Sequence, residues 1–378
     1  MSIQRLIWLV IIAGMLVLGG YLLQQPSSSK LESKTTVKDF LSADSEAFKQ
    51  VLKPRVFIFP KDHGSHPAYR NEWWYFTGNI QTQTGRKFGY ELTFFRFALT
   101  PESQPTPSHW RNNQIYMAHF ALTDVDNKQF YTDERFSRAG NDLAGASTDK
   151  YHVWLYDWHA ESDNGLVLNL NASSDDFAIS LLLTPEKAIA LQGVDGFSRK
   201  SPEPGNASYY YSYTRMATIG TIEIKQQTFS VTGLSWMDRE WSSSVLSKQQ
   251  VGWDWFALQL SDHSELMFYQ FRRKDGSVDN NSAGAIFHAD NSKTALRFSD
   301  VDIKVLGHWQ SPHSNISYPS KWHLSIPSQG LELVISPLIN DQELNVTYRY
   351  WEGAVSIEGK KHNQIISGQG YVELTGYQ

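Results

Sequence analysis

From about Phe57 onward the chain is a succession of short runs of Tyr, Phe, Trp, Val and Thr, broken by Gly, Asn, Asp and Pro, and no helical period outlasts Pro185 to Leu191. Such runs are too short for packed helices and carry the residues that suit a pleated surface, so they predict an all-β fold. The runs also repeat. Trp73-Trp74-Tyr75-Phe76, a Gly-containing turn and Glu91-Leu92-Thr93-Phe94-Phe95-Arg96 are echoed by Trp253-Asp254-Trp255-Phe256, a turn at Asp262-His263, and Glu265-Leu266-Met267-Phe268 with Arg272. Val231-Thr232-Gly233-Leu234-Ser235-Trp236-Met237-Asp238 is echoed by Ile366-Ser367-Gly368-Gln369-Gly370-Tyr371-Val372-Glu373, with Tyr213 opposite Tyr348 at the same offset. Each half opens with an aromatic hairpin and closes with a Gly-interrupted strand. Hairpins in series hide their edges by closing into a barrel or pairing as a sandwich, and Gly in the closing strands suits the bends of a barrel. Two antiparallel β-barrels in tandem are expected, at 55–244 and 245–378, divided within the polar stretch Ser242 to Gln250.

Ahead of them, Leu6 to Leu23 is uncharged and apolar behind Arg5, the pattern of a segment that inserts with its N-terminus in the cytoplasm. Residues 1–24 are read as a membrane helix or signal peptide, with an uncleaved anchor favoured, and 25–54 as a polar tether with one short helix around Ser45 to Leu52. The rest of the chain would then face the periplasm within the cell envelope. The absence of Cys excludes a lipidated N-terminal cysteine, a thiol nucleophile, disulfides and a thiolate metal site.

A net charge of -5 with dispersed Lys and Arg argues against nucleic acid as a partner. The 13% of aromatic residues, 13 of them Trp, either fills large cores or lines a site for an apolar ligand. An apolar small molecule is the expected ligand.

With these motifs in place, the chain resembles the AttH/CrtC family of carotenoid 1,2-hydratases, hydroxyneurosporene synthases and predicted secreted hydrolases. The resemblance rests on NEWWYFTG (Asn71 to Gly78), FGYELTFFRF (Phe88 to Phe97), AHFALTD (Ala118 to Asp124), LSWMDREWSSS (Leu234 to Ser244), GWDWFALQL (Gly252 to Leu260), YWEGAV (Tyr350 to Val355) and GYVELTGY (Gly370 to Tyr377). It implies tandem lipocalin-like barrels and, for the hydratases, cofactor-independent addition of water to a C=C bond of an isoprenoid chain. A non-catalytic carrier of lipid or another apolar ligand, held near the membrane and working with an envelope transport partner, is the alternative.

Hydrating an unactivated alkene requires a strong proton donor sheltered from water, and a carboxylic acid kept neutral by apolar neighbours fits. Asp238, set among Trp236, Met237 and Trp241, meets that description, and the resemblance places the hydratases' acid there. The plainer alternative is that Asp238, Arg239 and Glu240 form a charge cluster closing a barrel mouth. The hydratases carry a histidine upstream, whereas this chain has Tyr209-Tyr210-Tyr211-Ser212-Tyr213, from which Tyr211 is selected as partner. Trp236, Trp241 and Trp74 are assigned to the ligand cavity. Glu72 and Arg96 should pair across a hairpin near the barrel mouth, either structurally or in contact with ligand, and His119 is either a core histidine or a ligand contact. The His63-Gly64-Ser65-His66 segment is read as a flexible loop without carboxylate partners, so no metal and no cofactor are assigned. Asp254 and Glu352 form a minor candidate pair for glycoside cleavage.

Overall fold

A computed structural model describes residues 47–101, 112–163, 165–244 and 246–377. The expected membrane segment, most of the tether and most of the Pro101 to Pro107 loop lie outside them. Among the described residues the helical turns are three 3-10 segments, Lys61–His63, Phe298–Asp300 and Pro327–Gln329. Everything else with regular structure is strand, in two antiparallel sheets.

The first sheet contains β1 (Asn71–Gln81), β2 (Lys87–Ala98), β3 (Gln114–Asp124), β4 (Gln129–Arg138), β5 (Ala144–Ala146), β6 (Tyr151–Leu155), β7 (Trp158–Ser162), β8 (Leu168–Ser173), β9 (Phe177–Pro185), β10 (Ala190–Leu191), β11 (Phe197–Arg199), β12 (Ala207–Ile224) and β13 (Gln227–Ser242). Its order is β4-β3-β2-β1-β13-β12-β9-β8-β7-β6-β5, with β10 and β11 also on β12. The sheet curls into a nearly closed barrel, and side chains bridge the seam. Arg135 on β4 pairs with Asp157 and donates to the Ser173 carbonyl at 2.8 Å, while the Tyr156 hydroxyl donates to the Phe136 carbonyl at 3.2 Å.

The second sheet contains β14 (Gln250–Leu260), β15 (Glu265–Arg273), β16 (Ala283–Phe287), β17 (Lys293–Arg297), β18 (Asp302–Gln310), β19 (Ser317–Ile326), β20 (Leu331–Pro337), β21 (Glu343–Leu344), β22 (Tyr350–Lys361) and β23 (Gln364–Thr375). Its order is β17-β16-β15-β14-β23-β22-β20-β19-β18, a half-barrel whose edge strand β18 is exposed over most of its length. The duplication read in the sequence is therefore topological. In each half the first strand lies between its hairpin partner and the last strand: β1 between β2 and β13, β14 between β15 and β23.

Side-chain alternation along these strands makes three cores. Trp74, Phe76, Trp158, Tyr211, Met237 and Trp241 fill the first barrel. Phe256, Trp322, Trp351 and Leu374 fill the second. Tyr75, Tyr210, Trp236, Trp255 and Tyr371 pack between the sheets. The alternate faces of β1 and β13 thus serve two different cores. Full burial of each such side chain is favourable by roughly 1.5–3 kcal/mol, which explains why both faces of these strands are apolar. Gly89 permits the close approach of the halves, because a Cβ there would lie 2.5 Å from the Ala354 Cβ.

Two local expectations fail. Residues 47–52 hold a turn and extended chain rather than a helix. Pro185 to Leu191 ends one strand and forms another, since Ala190 and Leu191 gain ladder partners in Ser212 and Tyr211, and tertiary pairing overrides a weak helical period. Between those strands the Lys187 ammonium reaches Glu265 of the second half at 2.6 Å.

Candidate functional site

The outer face of β1, β2, β3, β12 and β13 meets the facing strands of the second sheet around a cavity of about 110 Å³. Trp73, Tyr75, Phe95, Phe97, Met117 and Tyr210 form one wall, and Trp253, Trp255, Tyr269, Phe271, Tyr348 and Tyr350 the other. Its polar groups are Thr93, His119, Lys200, Asp238, Glu240 and Glu373. The cavity lies between the halves rather than in the lumen of either barrel.

Asp238 is 3% exposed and lies opposite Tyr75 on one side and Ser212 on the other in strand register. Trp236 Nε1 and Ser212 Oγ donate to its Oδ1 at 2.7 and 2.5 Å, and the Tyr210 hydroxyl donates to Oδ2 at 2.5 Å. All three donors are neutral. Burial pushes the carboxyl up to about 7, with the three hydrogen bonds working in the other direction. Glu373, which lines the same cavity in the duplicated position, is also pushed up to about 7 by burial, with the Asp238 and Glu240 charges adding to the effect. Its one side-chain donor is Trp253 Nε1 at 3.0 Å.

Behind Glu373 the acids continue. Glu352 is its cross-strand neighbour and accepts from the Tyr75 hydroxyl at 2.6 Å. Burial, together with the neighbouring carboxylates, holds Glu352 and Glu91 well above the usual range. Glu240 is compensated differently: Lys200 sits 2.9 Å away, its ammonium over the Tyr210 and Tyr269 rings. His119 Nδ1 pairs with the Tyr350 hydroxyl at 2.7 Å, and burial depresses the imidazole to about 3, so it is neutral.

The structure divides the residues named from sequence between the two faces. Asp238, Trp236 and His119 belong to the space between the sheets. Tyr211, Trp241, Trp74, Glu72 and Arg96 point into the first barrel. Tyr211 is consequently not the partner of Asp238; alternation along β12 hands that place to Tyr210, and the Tyr211 hydroxyl pairs with His63 Nδ1 at 2.6 Å. Trp241 stacks on His66 at 3.8 Å instead of lining the cavity, and Trp74 Nε1 donates to the His63 carbonyl at 2.9 Å. Glu72 is gripped by both Arg96 and Arg239, with the His66 backbone donating at 2.8 Å. Those guanidinium charges keep its carboxyl well below the usual range against the cost of burial. Arg239, adjacent to Asp238 in sequence, lies over the Trp74 ring at 3.9 Å on the opposite face.

Asp254 and Glu352 leave opposite faces of the second sheet: Asp254 binds Arg272 Nε and the Tyr377 hydroxyl, both at 3.0 Å, while Glu352 faces Tyr75. They make no carboxylate pair. His63 pairs with Tyr211, and His66, contrary to the expectation of a segment without carboxylate partners, pairs with Asp62 and Glu72; among the described residues no group of three His, Asp or Glu side chains is placed to hold a metal. Sequence reasoning missed Tyr210, Tyr75, Trp255, Lys200 and Glu373. The echo of Asp238 by Glu373 was the available signal; Tyr210 is selected only by the strand register, in which Ser212 lies opposite Asp238.

The AttH-like family model matches residues 50–377. An AttH-type protein of Nitrosomonas europaea with a crystal structure at 2.00 Å is 34% identical and superposes with a TM-score of 0.78, covering 88% of this chain and 100% of that one. Kievitone hydratase of Fusarium solani subsp. phaseoli is 27% identical over 147 residues, 37% of this chain and 40% of the relative, so the match spans well under two thirds of that relative's length. The crystal structure of kievitone hydratase from Nectria haematococca shares the fold, at a TM-score of 0.67 and 14% identity over 87% of this chain and 98% of that one. Since the family match runs through both sheets and every wall of the cavity, this chain belongs to the AttH-like family.

Proposed function

We propose that the chain is a hydratase-type protein that receives an apolar, alkene-bearing small molecule in the cavity between its two halves and adds water to it, Asp238 supplying the proton. The observation that carries this reading is a buried carboxyl, held at about 7 among aromatic side chains, whose hydrogen bonds all come from neutral donors. Such a group still holds a proton near neutrality. After giving it up, the resulting carboxylate is met by three donors already in place, so the acid is stronger than burial alone would make it. The faces of Trp73, Tyr75 and Trp255 around it can stabilise a carbocation without quenching it as a base would. The hydratase named among the relatives supports the same reaction class.

The test is to incubate the protein lacking residues 1–30 with acyclic isoprenoids and with kievitone, and to seek a gain of one water by mass. Asp238→Asn should lower the rate by about 10²–10⁴-fold. No hydration by the wild type, with an isoprenoid nevertheless recovered bound in the cavity, would point to an apolar-ligand carrier instead.

A further inference from the structure

We infer that the site uses two acids, one from each half: Asp238 delivers the proton to the alkene and Glu373, its counterpart in the internal duplication, takes the proton from the attacking water. This rests on the hydratase reading above and assigns the second half of the chain a chemical task in it.

The geometry is reciprocal. Asp238 and Glu373 occupy the same place in the echoed closing strands, and each lies opposite the equivalent aromatic of its half's opening strand, Tyr75 for Asp238 and Trp255 for Glu373. Each carboxylate accepts from an indole N–H, of Trp236 and Trp253 respectively. Each opening-strand aromatic then crosses to the other half. Trp255 Nε1 donates to the Tyr210 hydroxyl at 3.3 Å, and that hydroxyl donates to Asp238; the Tyr75 hydroxyl donates to Glu352, the cross-strand neighbour of Glu373. Both carboxyls line one cavity, Asp238 buried and Glu373 half-buried. Around Asp238 the charged or titratable groups are Tyr210, Glu240 and Lys200; around Glu373 they are Glu352, Glu91, Asp238, Glu240, Tyr75 and Tyr350. Lys200 pairs with Glu240 at 2.9 Å, and among the described residues no cation is paired directly with Asp238 or Glu373. Like charges lining one cavity disfavour double ionisation, and the pair favours the state with one proton held and one carboxylate free.

That state is the one hydration needs. The Asp238 carboxyl proton forms a C–H bond at one alkene carbon as the π bond breaks, leaving the cation on the neighbouring carbon. The water oxygen bonds to that cation, and Glu373 accepts the water's proton. Alkene plus water becomes alcohol, Asp238 ends as carboxylate and Glu373 as acid, and one proton returned from Glu373 to Asp238 through solvent restores the start.

Two measurements decide it. The first follows carboxyl titration by carbon-13 NMR in wild type, Asp238→Asn and Glu373→Gln, with no substrate present. Removing either acid should lower the other's midpoint by about one pH unit or more; midpoints that do not move would overturn the pairing. The second uses geraniol in deuterium oxide. Glu373→Gln should lose about 10²–10⁴-fold in hydration while still exchanging deuterium into the alkene, because protonation and its reversal need only Asp238. Asp238→Asn should lose both. Hydration by Glu373→Gln at the wild-type rate overturns the assignment. Glu352→Gln, which removes a carboxyl behind the cavity that still holds its proton where Glu373 titrates, should leave both the Glu373 midpoint and hydration in place. If the wild type hydrates none of its probes, the hydratase reading fails, and the first measurement still decides whether the two acids share a proton.

Discussion

Glu72 and Asp238 are buried acids on adjoining strands of one sheet, yet they sit in opposite electrostatic worlds. Glu72 points into the first barrel, where Arg96 and Arg239 hold it ionised. Asp238 points out toward the second sheet, where only a tyrosine, a serine and an indole reach it, and burial pushes it up to about 7. The barrel interior spends its charges on fixing shape, closing the end of the barrel under the His63 to His66 segment. The face between the halves leaves Asp238 without an ion pair, and a buried acid in that state is a group able to exchange a proton at neutral pH. Arg239 and Asp238 are neighbours in sequence, and one step along a strand separates the two regimes.

The largest effect should come from breaking the interior cluster. Glu72→Gln leaves two buried guanidinium groups facing each other and should cost about 3–5 kcal/mol in urea unfolding, whereas Asp238→Asn should change stability by less than about 1 kcal/mol, its donors being neutral. Comparable losses for the two would erase the distinction.

Next comes pH. Glu352, Glu91 and Glu373 have folded-state values above that of the unfolded chain, so the folded form holds protons that the unfolded form has lost. Their contribution is complete below about 4.5; that of Glu373 is lost as pH rises through about 7, and those of Glu352 and Glu91 as pH rises through their own raised values. His63, depressed to about 4 by burial, acts the other way: its contribution is present above 6.5 and is lost as pH falls toward 4. Thermal melting should therefore peak between these limits. Glu352→Gln should raise the melting temperature at pH 8 relative to wild type and leave it unchanged near pH 4; an unchanged alkaline limb would mean the interface acids are ionised in the folded state.

The smallest effects separate the neighbouring tyrosines. Tyr211→Phe should cost about 1 kcal/mol through its bond to His63 and leave the titration of Asp238 alone. Tyr210→Phe should raise the Asp238 midpoint, measured by carbon-13 NMR, because one of three donors to its carboxylate is gone. A shift with Tyr211→Phe and none with Tyr210→Phe would reverse the assignment of the two faces.

Much of this was legible beforehand. The strand composition, the division at the polar Ser242 to Gln250 stretch and the two echoes all pointed to a duplicated β fold, and the first-to-last strand pairing reproduces the echoes in space. Asp238 stood out because a Trp-x-Asp pattern in a strand places indole and carboxyl on one face. Tyr211 and Trp241 lie on the other face: the resemblance marks only the stretch Tyr209 to Tyr213, not which of its tyrosines meets Asp238, and Trp241 is an odd number of residues from Asp238 along one strand. Glu373 was visible as an echo, but its meaning depended on its face looking at Asp238.

By itself the sequence determined the period of two, the duplication and the order of the strands, since these follow from local backbone preference and from where the chain can turn. Which face of each strand lies inside a barrel was left to the tertiary structure. Strand β1 is apolar on both faces and buried along almost its whole length, so alternation could say that Trp74 and Tyr75 part company but not which of them meets the second half. Only the packing of two curved sheets through their outer faces decided that, and with it that the acids of the cavity would lie between the halves, away from the arginines.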